Sequence, residues 1–357
     1  MTKKAFLSAL ISLLLLAACA NESSLPNLNS LSYDALLAAA QEEGFVNATG
    51  FMGNHDDAAD ALYENYSVIL SHHDMVGKEA YSLFSVSNRA AAYDLGILEM
   101  EYAANAKSSA LTLAYKTSYW YDIPTWAKDS RGDYTAVFSA VSAFITNTST
   151  VKNPPRSWSD IAKGDYTVTI GDVLSSPEAQ YAYLDSAIAL GGGYPDYGLA
   201  GDFWAALAES GRLSIRPVSA SAVFDGSVDV AVTADFNALT YKYGAKDLNF
   251  KLDFDVAIPS DGAVRHTYCA VINKFAPHPH AAAALLEYLL SDEGQTNFAK
   301  NYARPVRDVT LPPEIEERLL PEDAYTNVMQ LDNYSMRDAQ HIASLWREKV
   351  LKVFSEN

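Results

Sequence analysis

Residues 153–173 read NPPRSWSDIAKGDYTVTIGDV, and this stretch predicts a short helix at 157–162 followed by a strand at 166–170. The same alternation continues on both sides of it. Strands are predicted at 45–50, 68–70, 93–98, 134–146, 228–233, 254–258 and 268–272. Helices are predicted at 33–43, 56–66, 78–88, 177–190, 203–210, 281–290 and 293–299, with another starting at 239–243. Strands that alternate with helices of this length indicate an α/β fold with mainly parallel sheets.

Two segments carry a resemblance to a known family. The stretch at 153–173 resembles the start of the second lobe in solute-binding proteins of ABC importers, through Pro155, Ser157, Trp158, Asp160 and Ile161. Residues 274–308, KFAPHPHAAAALLEYLLSDEGQTNFAKNYARPVRD, resemble the late helix pair of that family, through Ser291, Asp292, Glu293, Gly294, Gln295, Pro305, Val306 and Arg307. The resemblance is strongest to receptors for ferric iron, thiamine, polyamines or phosphorylated compounds. It implies a two-lobe type II periplasmic-binding-protein fold, in which each lobe is a mainly parallel sheet flanked by helices.

Several of these motif residues have structural roles on physical grounds. Ser291 is placed to cap the helix that follows, with Asp292 and Glu293 favourable in its first turn. Trp158 is expected to be a core anchor. The motifs therefore predict the family and not the ligand.

The N-terminus indicates export. Lys3 and Lys4 precede an almost wholly apolar run at 5–18, which is typical of a signal peptide. The run ends in Leu16-Ala17-Ala18-Cys19, which resembles the bacterial lipobox, so Cys19 is the expected lipidation site. Residues 1–18 are then the signal peptide and residues 19–30 a tether. The alternative is an ordinary secretory signal that is cleaved near Ala20.

Composition excludes several classes of protein. The net charge of −18 disfavours a nucleic-acid-binding protein, which needs a basic face. If Cys19 is lipidated, Cys269 is the single remaining cysteine, so no disulfide within the chain and no cysteine zinc cluster is expected. The sequence contains no G-x-S-x-G, H-E-x-x-H or P-loop motif. We therefore expect a monomeric binding protein without a metal or cofactor, and not an enzyme.

The resemblance also predicts where the lobes divide. The chain is expected to cross between them near residues 139–143 and again near 257–263. Lobe one is then 30–139 plus 263–345, and lobe two is 140–262. In open α/β sheets, ligands bind beyond the carboxyl ends of the strands, near helix N-termini. The candidate ligand-binding residues that follow predicted strands, or lie near them, are Asn54, His55, Glu99, Ser142, Asp172, Ser175, Ser176, Asp235, Asn237, Asp261 and Tyr268.

Carboxylates dominate this set, which favours a polyamine-like amine as the solute. A buried ammonium group needs charged or polar acceptors, because its desolvation is expensive. The resemblance implies that an aspartate after the strand at 228–233 pairs with such an amine, and Asp235 occupies that position. The partner proteins implied are a membrane permease and its ATPase.

Two alternatives stay open at this point. Ser175 and Ser176 precede Pro177 at a helix start and could hold a phosphorylated or sulfonated anion instead. Asp56, Ser176 and Asp235 could also be simple helix caps. Iron is disfavoured, because Asp235-Phe236-Asn237 stands where the iron receptors of this family have adjacent tyrosines. A secreted, lipidated enzyme is the alternative from another functional class.

Overall fold

The structure is a computed structural model that describes residues 25–50, 56–75, 77–86, 93–331 and 334–356. Cys19, Asn54 and His55 lie outside the described residues. The lipidation prediction and one of the predicted ligand loops therefore stay predictions from the sequence.

Helices and strands alternate along most of the chain. The first half contains α1 (Tyr33–Glu43), β1 (Phe45–Thr49), α2 (Asp56–Tyr66), β2 (Ile69–His73), α3 (Gly77–Phe84), β3 (Leu95–Glu99), α4 (Met100–Ser108), β4 (Thr135–Asn147), α5 (Trp158–Lys163), β5 (Val168–Thr169) and α6 (Pro177–Leu190). The second half contains α7 (Tyr197–Glu209), β6 (Leu213–Ser214), α8 (Ala220–Phe224), β7 (Val230–Ala234), α9 (Asp235–Asp247), β8 (Phe254–Ala257), β9 (Ala263–Ile272), α10 (Pro279–Leu290), α11 (Asp292–Lys300), β10 (Arg304–Pro305), α12 (Pro313–Glu316), β11 (Val328–Met329) and α13 (Met336–Leu345). A π-helical stretch, Trp346–Leu351, and α14 (Lys352–Glu356) follow.

The strands form one sheet in the order β2-β1-β3-β9-β4-β7-β5-β6. The pairs β1–β2, β1–β3, β5–β6 and β5–β7 are parallel, whereas β4 and β9 run antiparallel to their neighbours in this order. Helices that connect parallel strands cover the faces of such a sheet, as the alternation of elements predicted.

The long strand β4 belongs to both halves of the sheet. All 13 of its residues are buried. Its pairing with β9 ends at Val141, and its pairing with β7 begins at Ser142. We use "first lobe" for β1, β2, β3, β9 and the helices packed on them, and "second lobe" for β5, β6, β7, β8 and theirs. The lobe boundaries themselves stay a prediction.

Each lobe has its own hydrophobic core. The first contains Leu36, Val46, Leu62, Phe84 and Leu95, all buried. The second contains Phe144, Trp158, Trp204 and Trp346, which are also buried. The ring of Trp158 packs edge-on against Phe144 and Trp204, with ring centroids 5.0 and 5.8 Å away. The prediction that Trp158 anchors a core is confirmed.

Ser291 caps α11 as predicted, and Ser176 caps α6, a role that the sequence left open beside ligand binding. The hydroxyl of Ser291 accepts a hydrogen bond from the Gly294 N–H, and α11 begins at the next residue. Pro177 occupies the first turn of α6, Ser176 caps it, and the helix ends before Gly191. These local signals define both helices because each satisfies or removes a backbone N–H that would otherwise lack a partner.

The C-terminal helices pack against the second lobe. Ile342, Trp346 and Val350 are buried in its core, and the Trp346 Nε1–H donates to Asp172 Oδ1 at 2.9 Å. The sequence prediction assigned residues up to 345 to the first lobe; of the three residues named, only Ile342 lies in that range, and the boundary stays a prediction. An aromatic side chain needs both apolar neighbours and a partner for its N–H, and here the second lobe supplies both.

Candidate functional site

The edge of the first lobe presents a buried carboxylate. Glu99 ends β3, and its side chain is 2% exposed. The N–H of Gly77, at the start of α3, donates to both of its carboxylate oxygens, at 3.0 and 3.1 Å. The carboxylate therefore occupies the N-terminus of α3, where the helix dipole favours negative charge.

Burial disfavours the charged form of this group. Burial, and then the nearby carboxylate of Glu101, raise the pKa of Glu99 to about 8. Burial likewise raises the pKa of Glu101. In the part of the chain that the structure describes, no ion pair involves either residue. Glu99 is thus largely protonated near neutral pH, and a cation close to it would favour its ionised form.

The facing edge of the second lobe presents another carboxylate, Glu178, in the first turn of α6. The amide of Asn237, in the first turn of α9, donates to Glu178 Oε1 at 2.6 Å. The hydroxyl of Thr233, near the end of β7, donates to Oε2. These contacts hold the side chain at the carboxyl end of β7.

The edge of the first lobe at the start of α3 touches the edge of the second lobe at the start of α6. Gly77 has a φ of +58°, and a Cβ built on it would lie 2.9 Å from Cγ of Pro177 and 3.8 Å from Glu99 Oε1. Nearby, the hydroxyl of Tyr181 in α6 donates to both carboxylate oxygens of Glu101 in α4, each at 3.1 Å. The starts of α3 and α6 therefore meet where the two lobes join, with Glu99 on the first-lobe side and Glu178, the neighbour of Pro177, on the second-lobe side. We call this junction the cleft.

Tyr268 is the neighbour of Glu99 on the adjacent strand, β9. It lies opposite Glu99 in the pairing of β3 with β9, is 4% exposed, and stacks on Phe138 with a centroid distance of 4.4 Å. Burial raises its pKa well above the usual value, and the carboxylates of Glu99 and Glu178 add to this effect. Tyr268 is therefore within electrostatic range of both edges.

A second row of side chains joins the lobes deeper in the interface. Tyr181 stacks on the ring of His266, with centroids 3.7 Å apart. His266 Nε2 lies 3.8 Å from Asp185 Oδ2, and both side chains are fully buried. Burial raises the pKa of Asp185, while His266 counteracts it. Together with Glu101, this row links α4, α6 and β9. Its contacts therefore depend on the position of one lobe relative to the other.

Most of the predicted site residues fall into two groups. Glu99, Asn237 and Tyr268 lie at the cleft. Four others are held by contacts within the protein: Ser142 in the buried β4 pairing, Asp172 by Leu174 N–H and Trp346, Ser176 by the Ala179 N–H at 3.2 Å, and Asp261 by the N–H groups of Trp158 and Ser159. Ser175 is exposed and its hydroxyl donates to the Asp172 carbonyl at 3.4 Å.

The Asp235 carboxylate is also held within the protein, by three hydrogen bonds. It is fully buried, and its Oδ1 accepts from the N–H groups of Val141 and Phe236, at 3.1 and 3.0 Å. The hydroxyl of Tyr325 donates to its Oδ2 at 2.7 Å. The carboxylate therefore fastens α9 to β4 at the point where that strand passes between the lobes.

This arrangement predicts the effect of Asp235→Asn. The variant should lower the free energy of unfolding by about 1–3 kcal/mol, because an amide N–H₂ cannot accept the Tyr325 hydroxyl. Solute affinity should stay nearly unchanged. Tyr325→Phe, which deletes the same hydrogen bond, is the matched control and should lose comparable stability. Denaturant unfolding and a ligand titration on the same samples measure both quantities. A large loss of affinity with unchanged stability would instead mean that Asp235 contacts the solute.

The sequence analysis missed four residues of the cleft: Gly77, Glu101, Glu178 and Tyr181. Glu178 stands in a helical first turn, where acidic residues are ordinary. Glu101 lies two positions after Glu99 and could have been found with it. Tyr181 is one of 22 tyrosines, and nothing local distinguishes it.

Two helix N-termini at the cleft are occupied by side chains of the protein itself. Glu99 accepts from the first N–H of α3, and Ser176 caps α6. Such N-termini are the usual places where an anion is held. Within the described residues, no group of His, Cys, Asp and Glu side chains has the arrangement of a metal site.

The fold is that of the two-lobe type II periplasmic-binding proteins. The structure resembles the fructose-6-phosphate-bound periplasmic binding protein AfuA of Actinobacillus pleuropneumoniae, with a TM-score of 0.71 and 16% identity, over 87% of this chain and 99% of that one. It also resembles iron-bound HitA of Pseudomonas aeruginosa, with a TM-score of 0.68 and 18% identity, over 85% and 98% of the two chains. At these identities the likeness establishes the fold alone.

The chain belongs to the family of bacterial extracellular solute-binding proteins, whose profile matches residues 91–333. It is 26% identical over 219 residues to the sulfate-binding protein of Escherichia coli (strain K12), a match that covers 59% of this chain and 65% of that protein. The chain thus spans a little less than two thirds of this relative. The expectations of a type II fold and of a binding protein, not an enzyme, are confirmed. Among the described helices, none is both long and apolar enough to cross a membrane.

Proposed function

We propose that this protein is the substrate-binding lipoprotein of an ABC importer, and that it captures a small polyamine-like amine in the cleft between Glu99 and Glu178. The permease and ATPase subunits of the importer are its partners, and the protein performs no chemistry on the solute. The observation that carries the proposal is the pair of facing carboxylates, neither of which has a lysine or arginine partner among the described residues.

Physical chemistry explains why this cleft suits a cation. A buried carboxylate is stable as an anion only when an opposite charge or several hydrogen bonds compensate its desolvation. An ammonium group between the lobes would supply that charge to Glu99 and Glu178 together. A solute that bridges both carboxylates also stabilises the contact between the lobes.

A second candidate, a sulfated or phosphorylated anion, is favoured by the identity with the sulfate-binding protein. Its support in the site is weaker. Ser175 and Ser176, which the sequence suggested as anion ligands, make hydrogen bonds within the protein. An anion would also have to approach Glu99 at the helix terminus that this carboxylate already occupies.

A ligand panel distinguishes these proposals. Spermidine, putrescine, thiamine, sulfate and fructose 6-phosphate would be tested by thermal shift. A ligand at 100 times its dissociation constant should stabilise the protein by about 2.7 kcal/mol. Small-angle scattering on the same samples should show a smaller radius of gyration with the bound solute if the lobes close around it. Stabilisation by sulfate or sugar phosphate, but by no amine, would contradict the amine proposal.

Membrane anchoring is tested by Cys19→Ser. The thiol is the group that would carry the lipid, so the variant should be released from membranes or accumulate as an uncleaved precursor. Cys269→Ser is the matched control, since Cys269 is buried and should not affect anchoring. Membrane fractionation and mass measurement of the purified protein give the result. A Cys19→Ser protein that still partitions with membranes as the mature lipidated form would contradict the anchor.

A further inference from the structure

The start of the described chain is firmly attached to the first lobe. Leu28 is 1% exposed and lies in a short 3₁₀-helix, Leu28–Ser30. The Asn29 side chain donates to the Ala114 carbonyl at 2.9 Å and accepts from the Lys116 N–H at 2.8 Å. The position of this segment on the protein body is therefore fixed.

Because the segment is attached, the surface around Leu25 can lie only a short distance from a lipid on Cys19. Six residue steps separate Cys19 from Leu25, the first described residue. An extended chain spans at most about 3.6 Å per residue, so the anchor lies within roughly 20 Å of Leu25. This distance is shorter than the width of a small domain, and the surface around Leu25 must therefore stay close to the bilayer.

The surface that the tether reaches has exposed aromatic and apolar side chains. A hollow of about 630 Å³ is lined in part by Leu31, Tyr33, Lys116, Trp120, Tyr121 and Arg131, which together we call the N-terminal face. Tyr121 is 93% exposed, Tyr33 44% and Leu31 38%. Tyrosine is a side chain that membrane interfaces favour, because its ring is apolar and its hydroxyl stays hydrated.

The N-terminal face is also basic, although the whole chain has a net charge of −18. Lys116 and Arg131 are exposed, and the ammonium groups of Lys116 and Lys128 lie 5.1 and 4.7 Å from the ring centroid of Trp120. Arg131 is paired with the buried Asp133 at 3.4 Å, yet its side chain is 74% exposed.

The acidic residue that lines the hollow does not offset this charge at the surface. Glu287 is buried, and it accepts hydrogen bonds from the Tyr115 hydroxyl and from the N–H and hydroxyl of Ser118. Among the residues that line the hollow, the lysine and arginine side chains therefore form the outward-facing charge. Two exposed carboxylates adjoin the hollow, Asp34 and Asp122, and that of Asp122 is paired with Arg307 at 3.5 Å.

We infer that the N-terminal face lies on the surface of a bilayer with anionic phospholipid headgroups, so that the lipid anchor holds the receptor in one orientation. This inference rests on the proposed lipidation of Cys19. Basic side chains near an anionic membrane surface and exposed tyrosines at the headgroup level both favour this contact. The cleft residues play no part in it, so solute binding and membrane orientation can be tested separately.

The test uses the lipidated protein, processed in its host and reconstituted into vesicles of equal parts phosphatidylglycerol and phosphatidylcholine. Tyr121→Cys carries an environment-sensitive fluorophore. Tyr194→Cys is the matched control, because Tyr194 is 81% exposed but belongs to the loop between α6 and α7 of the second lobe. A lipid-borne quencher should quench the label at 121 at least about twofold more than the label at 194, since an interfacial side chain lies within about 10 Å of the acyl boundary.

Charge variants test the electrostatic part. Lys116→Gln and Arg131→Gln should each weaken the contact by about fivefold, and vesicles of phosphatidylcholine alone should weaken it by about 25-fold or more, since both contributions are then lost. Lys152→Gln with Lys163→Gln, two lysines of the second lobe, should have no effect. Equal quenching at 121 and 194 in the anchored protein would overturn the inference, as would failure of the wild-type protein to join the vesicles. A thermal shift with solute on the same preparation shows whether the receptor proposal holds in either case.

Discussion

Glu99→Gln is expected to weaken the binding of a polyamine by about 30-fold or more. The substitution keeps the shape of the side chain and removes the charge that would pair with an ammonium group. Removing one member of a buried, hydrogen-bonded ion pair typically costs about 2–5 kcal/mol, because the other charge stays buried without a partner. Isothermal titration of the wild type and the variant with spermidine measures the difference.

The same variant should change the pH dependence. In the ligand-free protein the pKa of Glu99 is raised to about 8, above its ordinary value of 4.5. The folded state therefore holds this proton more tightly than the unfolded state. The contribution of Glu99 to stability is fully present below pH 4.5 and is lost as pH rises through 8. Polyamine affinity of the wild type should rise as pH increases towards 8, since the ammonium group binds the ionised form of Glu99. Glu99→Gln should show neither dependence.

Glu287→Gln is the matched control for this experiment. Glu287 is also a buried carboxylate held by hydrogen bonds, but it lies behind the N-terminal face, away from the cleft. Its substitution should reduce stability and leave affinity unchanged. Equal affinity of wild type and Glu99→Gln for every amine that binds would contradict the assignment of Glu99.

Gly77→Ala is expected to weaken solute binding by about tenfold or more, because its new Cβ would lie 2.9 Å from Cγ of Pro177 in the opposite lobe. Overpacking of this kind typically costs about 1–3 kcal/mol. The lobes would have to move apart to relieve it, and the facing carboxylates of Glu99 and Glu178 would separate. The variant should therefore bind more weakly and show a smaller ligand-induced change in radius of gyration.

Backbone strain alone would also follow from this substitution, since Gly77 has a φ of +58°. Gly192→Ala separates the two effects. Gly192 has a φ of +67°, and a Cβ there would have no neighbour within 4 Å. It should lose about 1–2 kcal/mol of stability from left-handed strain and keep full affinity. Equal affinities of the two variants would mean that contact between Gly77 and Pro177 does not matter for binding.

Local signals account for much of what could be predicted from the sequence. The helix Pro177–Leu190 was predicted with its observed bounds, because Ser176, Pro177 and Gly191 each act on the nearest turn of backbone. The long apolar run of β4 likewise predicted its strand to within one residue at each end. The C-terminal helices were not predicted, because their placement depends on the contact of Trp346 with Asp172, 174 positions away.

In the site, too, local sequence predicts some residues and contacts between distant residues determine others. Glu99 and Asp235 look alike in the sequence, since each lies within two residues of the end of a predicted apolar strand. In the structure Glu99 lies at the cleft, whereas Asp235 is engaged by Val141 and by Tyr325, 90 positions away. Glu178 looked like an ordinary first-turn acidic residue, and only the arrangement of α6 beside β7 and α9 gives it partners. A position just after a strand identifies a residue as a candidate for ligand binding. Contacts with residues distant in the sequence then determine which candidates lie at the cleft.

The proton released on binding tests the proposed cleft most directly. Spermidine would be titrated into the wild-type protein at pH 7 in two buffers of different ionisation enthalpy. If an ammonium group pairs with Glu99, whose pKa is about 8 without ligand, binding should release about one proton per solute, and Glu99→Gln should release almost none. Binding of sulfate or fructose 6-phosphate with proton uptake, and no binding of any amine, would contradict the account.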